Sequence, residues 1–113
     1  MKILLCLLLG TSVLFGQFEY GEVLGTVRDA SLGVVTGAKI TLRNLDTNVS
    51  NEASTNDQGN FSFPNLRAGH YTIVAEKEGF RAAHTEDLEL RTGDHLRTDI
   101  ALETGSVTER VTV

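Results

Sequence analysis

The stretch from Thr55 to Tyr71, TNDQGNFSFPNLRAGHY, constrains the fold more than any other part of this 113-residue chain. Asn56-Asp57-Gln58-Gly59 reads as a turn, because Asx side chains bond back to nearby backbone and glycine accepts positive φ. Phe61 and Phe63 then alternate with Asn60 and Ser62, the period of a strand with one buried face. Pro64-Asn65 is expected to break that strand, with Leu66 as an apolar plug and Arg67-Ala68-Gly69 as a second turn. Tyr71, Ile73 and Ala75 restart the alternation. Turn, short strand, plug, turn and strand describe a loop-rich antiparallel sandwich rather than an enzyme site.

The same alternation recurs along the chain. Val23, Gly25 and Val27 share a face of a first strand, and Ala38, Ile40 and Leu42 share a face of a second. Ala53 and Thr55 mark a weaker third, and Phe61 with Phe63 the fourth. Tyr71, Ile73 and Ala75 build the fifth, Leu88 and Leu90 the sixth, and Leu96, Ile100 and Leu102 the seventh. No helical apolar spacing persists for three turns after residue 16. Seven short strands with turn signals about every ten residues predict an all-β, seven-stranded antiparallel Greek-key sandwich. The polar loops agree: Asp29 to Gly37, a hairpin tip at Asp46-Thr47-Asn48, and Thr92-Gly93-Asp94 before the last strand. Gly79 is expected to permit a bend that folds Phe80 under the sheet.

Residues 1–16 read as a secretory signal peptide: Lys2 is a positive start, Ile3 to Leu9 an apolar run, and Gly16 a small residue before Gln17. That run is far short of the ~20 residues a spanning helix needs. Cys6 is the only cysteine and lies within it, so the mature chain has no disulfide and must be held by its core. The 97 residues that follow suffice for one domain. Loss of Lys2 leaves 9 basic against 15 acidic residues, which makes nucleic acid and anionic membrane surfaces poor partners.

In order, Gly25-Thr26-Val27-Arg28-Asp29, then Gly37, Ala38, Ile40 and Leu42, then Thr55, Gly59, Phe61 and Phe63 follow a set of blocks. Leu66, Gly69 and Tyr71, and finally Gly79-Phe80, complete it. Residues 22–103 thereby resemble the carboxypeptidase regulatory-like domain, a transthyretin-like sandwich. Residues 17–21 are a short lead-in, and residues 104–113 a strand-competent end in which Val107, Val111 and Val113 alternate with polar residues. In many TonB-dependent outer-membrane receptors a similar stretch follows this module and leads to the plug and barrel. A barrel of many strands at ~10 residues each does not fit in this chain, which is either a truncated relative of such a receptor or a module that works alone.

Few residues in the sequence carry the spacing that chemistry requires. His70, His84 and His95 lie on three predicted strands, and none has a glutamate three residues later, so no zinc triad is expected. No serine sits in a nucleophile elbow, and no cysteine survives processing. Glu86, Asp87, Glu89, Asp94 and Asp99 read as a solvated face that guards a strand edge. The Asn56 to Asn60 turn has too few carboxylates for calcium. The expectation is no catalytic residue, no metal and no cofactor. Two functions remain: an exported, non-catalytic module with a protein partner in the periplasm, at the outer membrane or outside the cell, or a secreted carbohydrate-binding module. For a glycan, Phe18 and Tyr20 are the ligand-binding candidates, because Tyr71 and Phe80 occupy core positions of the family pattern.

Overall fold

The computed structural model describes residues 20–105. The signal-peptide reading of residues 1–16, Phe18, and the strand reading of residues 106–113 lie outside the described residues. Two sheets pack face to face, and no helix occurs among the described residues. β1 (Tyr20–Asp29) is central in the first sheet, between β4 (Asn60–Arg67) on one side and β8 (His95–Arg97) with β9 (Ile100–Leu102) on the other. The second sheet runs β3 (Ser50–Ser54), β2 (Lys39–Asn44), β5 (Gly69–Glu76) and β6 (Ala83–His84), with β7 (Leu88–Leu90) also on the free side of β5.

These nine strands fill seven positions. β6 and β7 are two halves of one edge, both pairing β5, and β8 and β9 are two halves of another, both pairing β1. Each break is filled by a side chain that replaces a lost ladder bond. At the first, Thr85 Oγ1 accepts from the Ile73 N–H (3.0 Å) and the Thr85 N–H donates to the Ile73 carbonyl (2.9 Å). At the second, Asp99 Oδ1 accepts from the Thr26 N–H (2.9 Å). The expected seventh strand is therefore interrupted at Thr98-Asp99.

The expectation of uniformly antiparallel pairing needs one correction, since β1 pairs β8 and β9 in parallel. The cause is the turn after β7: the Gly93 N–H donates to the Tyr20 carbonyl (3.2 Å), so β8 starts at the same end of the sandwich as β1. A second correction concerns Pro64-Asn65, which does not break the fourth strand. β4 runs through it as a bulge, with Pro64 and Asn65 together opposite Glu22 and Asn65 at φ 58°. The bulge keeps Leu66 pointing inward with Phe61 and Phe63.

The core is the sum of the alternating faces: Val23 and Val27, Ile40 and Leu42, Phe61 and Phe63, Tyr71 and Ile73, Leu90, Ile100 and Leu102 are all buried. Phe61 and Phe63 stack tilted, 6.1 Å between ring centres, a favoured aromatic geometry. Phe80 is only half-buried and packs against the core from its rim, where it bridges Thr104 beyond the Gly79 bend (φ 89°). Thr55 lies just past β3 and is buried. Its hydroxyl donates to the Val35 carbonyl (2.7 Å) and accepts from the Ala38 N–H (2.9 Å), pinning the long first loop to the second sheet.

Candidate functional site

The Asn56-Asp57-Gln58-Gly59 turn uses its polar atoms on itself. Asn56 Oδ1 accepts from the N–H groups of Gln58 and Asn60, both at 2.9 Å, and Gly59 sits at φ 78°. A Cβ on Gly59 would come within 2.9 Å of the Val27 carbonyl oxygen, so the tight approach of this turn to β1 also demands glycine.

The titratable candidates are dispersed rather than gathered. His70 Nδ1 lies 3.0 Å from Asp87 on the second sheet, and His95 Nδ1 lies 2.9 Å from Glu22 on the first. Hydrogen bonding and charge from Asp87 raise the His70 pKa above the ordinary histidine value. His84 stands exposed on β6. Among the described residues, no three His, Cys, Asp or Glu side chains are placed to hold a metal ion. The late carboxylates are not merely a solvated face: Asp94 Oδ2 accepts from the Arg91 N–H (2.9 Å) to close a turn, and Asp99 completes the β1 ladder.

Of the aromatic candidates, Tyr20 is 42% exposed at the start of β1, opposite Arg67. Tyr71 is buried, and its hydroxyl donates to the Arg67 carbonyl (2.7 Å), so its ring is packing and its oxygen is spent.

A feature not apparent in the sequence is a groove of about 470 Å³ where β3 and β4 approach one another, lined by Leu24, Ala53, Ser54, Asn60, Phe61 and Arg97 among others. Its polar side is a linked set: Arg97 donates to Thr26 Oγ1 (2.9 Å), Thr26 Oγ1 donates to Asn60 Oδ1 (2.6 Å), and Arg97 Nε lies 3.3 Å from Asp99. These partners are up to 73 residues apart in sequence, so no local motif could have announced them.

The two strands that flank the groove present different edges. In an antiparallel ladder, hydrogen-bonded and non-bonded pairs alternate. The Val27 N–H donates to the Gly59 carbonyl, which turns the backbone of Phe61 and Phe63 toward β1 and that of Asn60, Ser62 and Pro64 outward. Asn60 is already tied to the turn through Asn56, and Pro64 has no donor. The edge of β4 is thus closed except at Ser62. On β3, the bonds Thr55 N–H to Ala38 O and Asn44 N–H to Val49 O set the opposite case. Asn51 and Ala53 face β2, while Ser50, Glu52 and Ser54 direct N–H and carbonyl groups outward. Among the described residues, β3 pairs only with β2.

A family model described as the carboxypeptidase regulatory-like domain matches residues 22–103. The chain belongs to that family. No curated protein matches it. Among solved structures, the Bacillus anthracis TIE protein is similar at a TM-score of 0.66 and 19% identity, over 76% of this chain and 17% of that one. The group B streptococcus pilus 2b backbone protein is similar at 0.62 and 18% identity, over 76% of this chain and 42% of its own. A Bacteroides uniformis structure described as a candidate carbohydrate binding protein follows at 0.59 and 18%, over 73% of this chain and 40% of its own. This chain therefore spans less than half the length of each. Catechol 1,2-dioxygenase from Acinetobacter carries a similar sandwich at 12% identity, within a longer chain. At such identities the likeness is one of fold alone: a β-sandwich recurring in proteins of unlike function.

Proposed function

We propose that this chain is an exported, non-catalytic sandwich that docks a protein partner at the cell envelope, related to the N-terminal extension of TonB-dependent outer-membrane receptors. The observation that carries the reading is the open β3 edge, where Ser50, Glu52 and Ser54 offer main-chain groups that no described strand takes up. Export rests on the pattern of residues 1–16, and the absence of catalysis on the dispersal of the histidines and carboxylates into separate pairs.

The alternative is a secreted carbohydrate-binding module, favoured by the exposed ring of Tyr20 and by the Bacteroides structure of like fold. The two readings place binding energy differently, in main-chain pairing along an edge or in sugar stacking on an exposed ring. A glycan array with residues 17–113, run beside a pull-down from an outer-membrane extract, separates them. The docking reading expects a captured protein and no saturable glycan. Glycan binding abolished by Tyr20→Ala or Phe18→Ala establishes the alternative instead.

A further inference from the structure

The groove has one open wall, and its lining specifies what a strand laid against that wall must present. Its apolar surface comes from Leu24, Ala53 and Phe61, and its one cation is Arg97, whose side chain is 55% exposed despite its contacts to Thr26 and Asp99. A strand added to β3 would direct every second side chain toward that surface. The complementary face is therefore apolar and short in side chain, with one carboxylate. The sequence Gly105 to Val113, GSVTERVTV, contains that face: Val107, Glu109, Val111 and Val113 fall on one side of an extended chain, and Thr108, Arg110 and Thr112 on the other.

A strand that starts at Val107 is too close to Gly105 to lie on the β3 edge of its own copy. The Gly105 N–H donates to the Gly79 carbonyl (3.1 Å) and Thr104 bridges Phe80, just before β6 at the far edge of the second sheet. From β6 to a strand added outside β3 is four strand spacings, about 19 Å at ~4.8 Å each, whereas Val107, two residues on, reaches only about 7 Å. We propose that residues 107–113 of one copy of this chain add as a strand to the β3 edge of a second copy, with Glu109 set against Arg97. This rests on the docking reading above and names a partner for it: the chain itself. Because donor and acceptor surfaces differ, the contact is heterologous, so association grows with concentration unless two copies exchange segments reciprocally.

The test titrates a labelled Gly105–Val113 peptide into the full chain by fluorescence anisotropy and follows the mass of the full chain by sedimentation velocity. Saturable binding is expected, weakened about tenfold or more by Glu109→Lys in the peptide, as for loss of a paired charge at an interface. Glu52→Pro in the chain removes an outward donor and only an exposed ion pair to Lys39 of β2 (3.6 Å), leaves the backbone bonds to β2 intact, and should abolish binding with little change in the melting curve. If that variant fails to fold, charge reversal decides instead: the Glu109→Lys peptide should recover affinity for an Arg97→Glu chain. Equal binding of the wild-type and Glu109→Lys peptides overturns the proposal. A monomeric full chain that ignores the peptide but still captures an envelope protein overturns the proposed strand and leaves the docking reading intact. A chain that binds only glycan overturns both.

Discussion

At Gly25 an alanine Cβ would stand 1.8 Å from the Thr98 carbonyl oxygen and 2.9 Å from the Phe61 ring. The interruption between β8 and β9 pushes Thr98 over β1, and only a residue without a side chain lets the two backbones meet. Gly25→Ala is expected to destabilise the sandwich by about 3 kcal/mol or more, since the obstruction is backbone and cannot rotate away. A thermal melt indistinguishable from the parent would refute that packing. Phe61→Ala, which empties buried volume on the other side of the same contact, should cost roughly 3–5 kcal/mol. Both are read by urea unfolding. The His70–Asp87 pair tests the electrostatics. Its raised folded pKa means that the pair stabilises the fold below the ordinary histidine value of 6.5, and that this contribution is lost as pH rises through the raised value. Asp87→Asn should bring the His70 titration, followed by NMR, back toward 6.5. The change in stability should be small, because both side chains are about half-exposed.

The strands differ in how plainly the sequence announces them. Tyr71, Ile73 and Ala75, and Ile40 with Leu42, alternate without interruption, and the structure buries every one of them. Pro64 misleads because proline in a strand ordinarily ends it. Here its missing donor faces outward and a bulge at Asn65 absorbs the extra residue, so the strand continues. β6 carries only Ala83 and His84, too short for any periodicity, and the parallel pairing of β8 and β9 depends on where the Gly93 turn delivers the chain. The groove was invisible for a related reason. Thr26, Asn60, Arg97 and Asp99 meet only after three strands have assembled, and each alone looks like an ordinary surface residue. The same ladder logic gives a test of β3. Glu52→Pro at an outward position should be tolerated, whereas Ala53→Pro, which removes a donor to β2, should cost roughly 1–3 kcal/mol more. Equal losses for the two variants would show that the register assigned to β3 is wrong.

For the whole molecule, the family and fold leave function to the surface, since the same sandwich recurs in a pilus backbone, in a structure described as carbohydrate-binding and within a dioxygenase. Among the described residues its two groove-side edges contrast, one closed by Pro64 and the Asn56 turn, the other left unpaired at Ser50, Glu52 and Ser54. An open edge invites indiscriminate pairing, and sandwiches ordinarily guard theirs with proline, charge or a covering segment. Guarding one and leaving the other is the arrangement expected of a docking strand. The most direct measurement places a photo-crosslinking amino acid at Glu52 of the chain in living cells, with Thr72 of β5, a strand paired on both sides, as the control. The docking account expects a protein adduct from position 52 and none from position 72. No protein adduct at 52, together with saturable binding of a glycan by the purified chain, would contradict it.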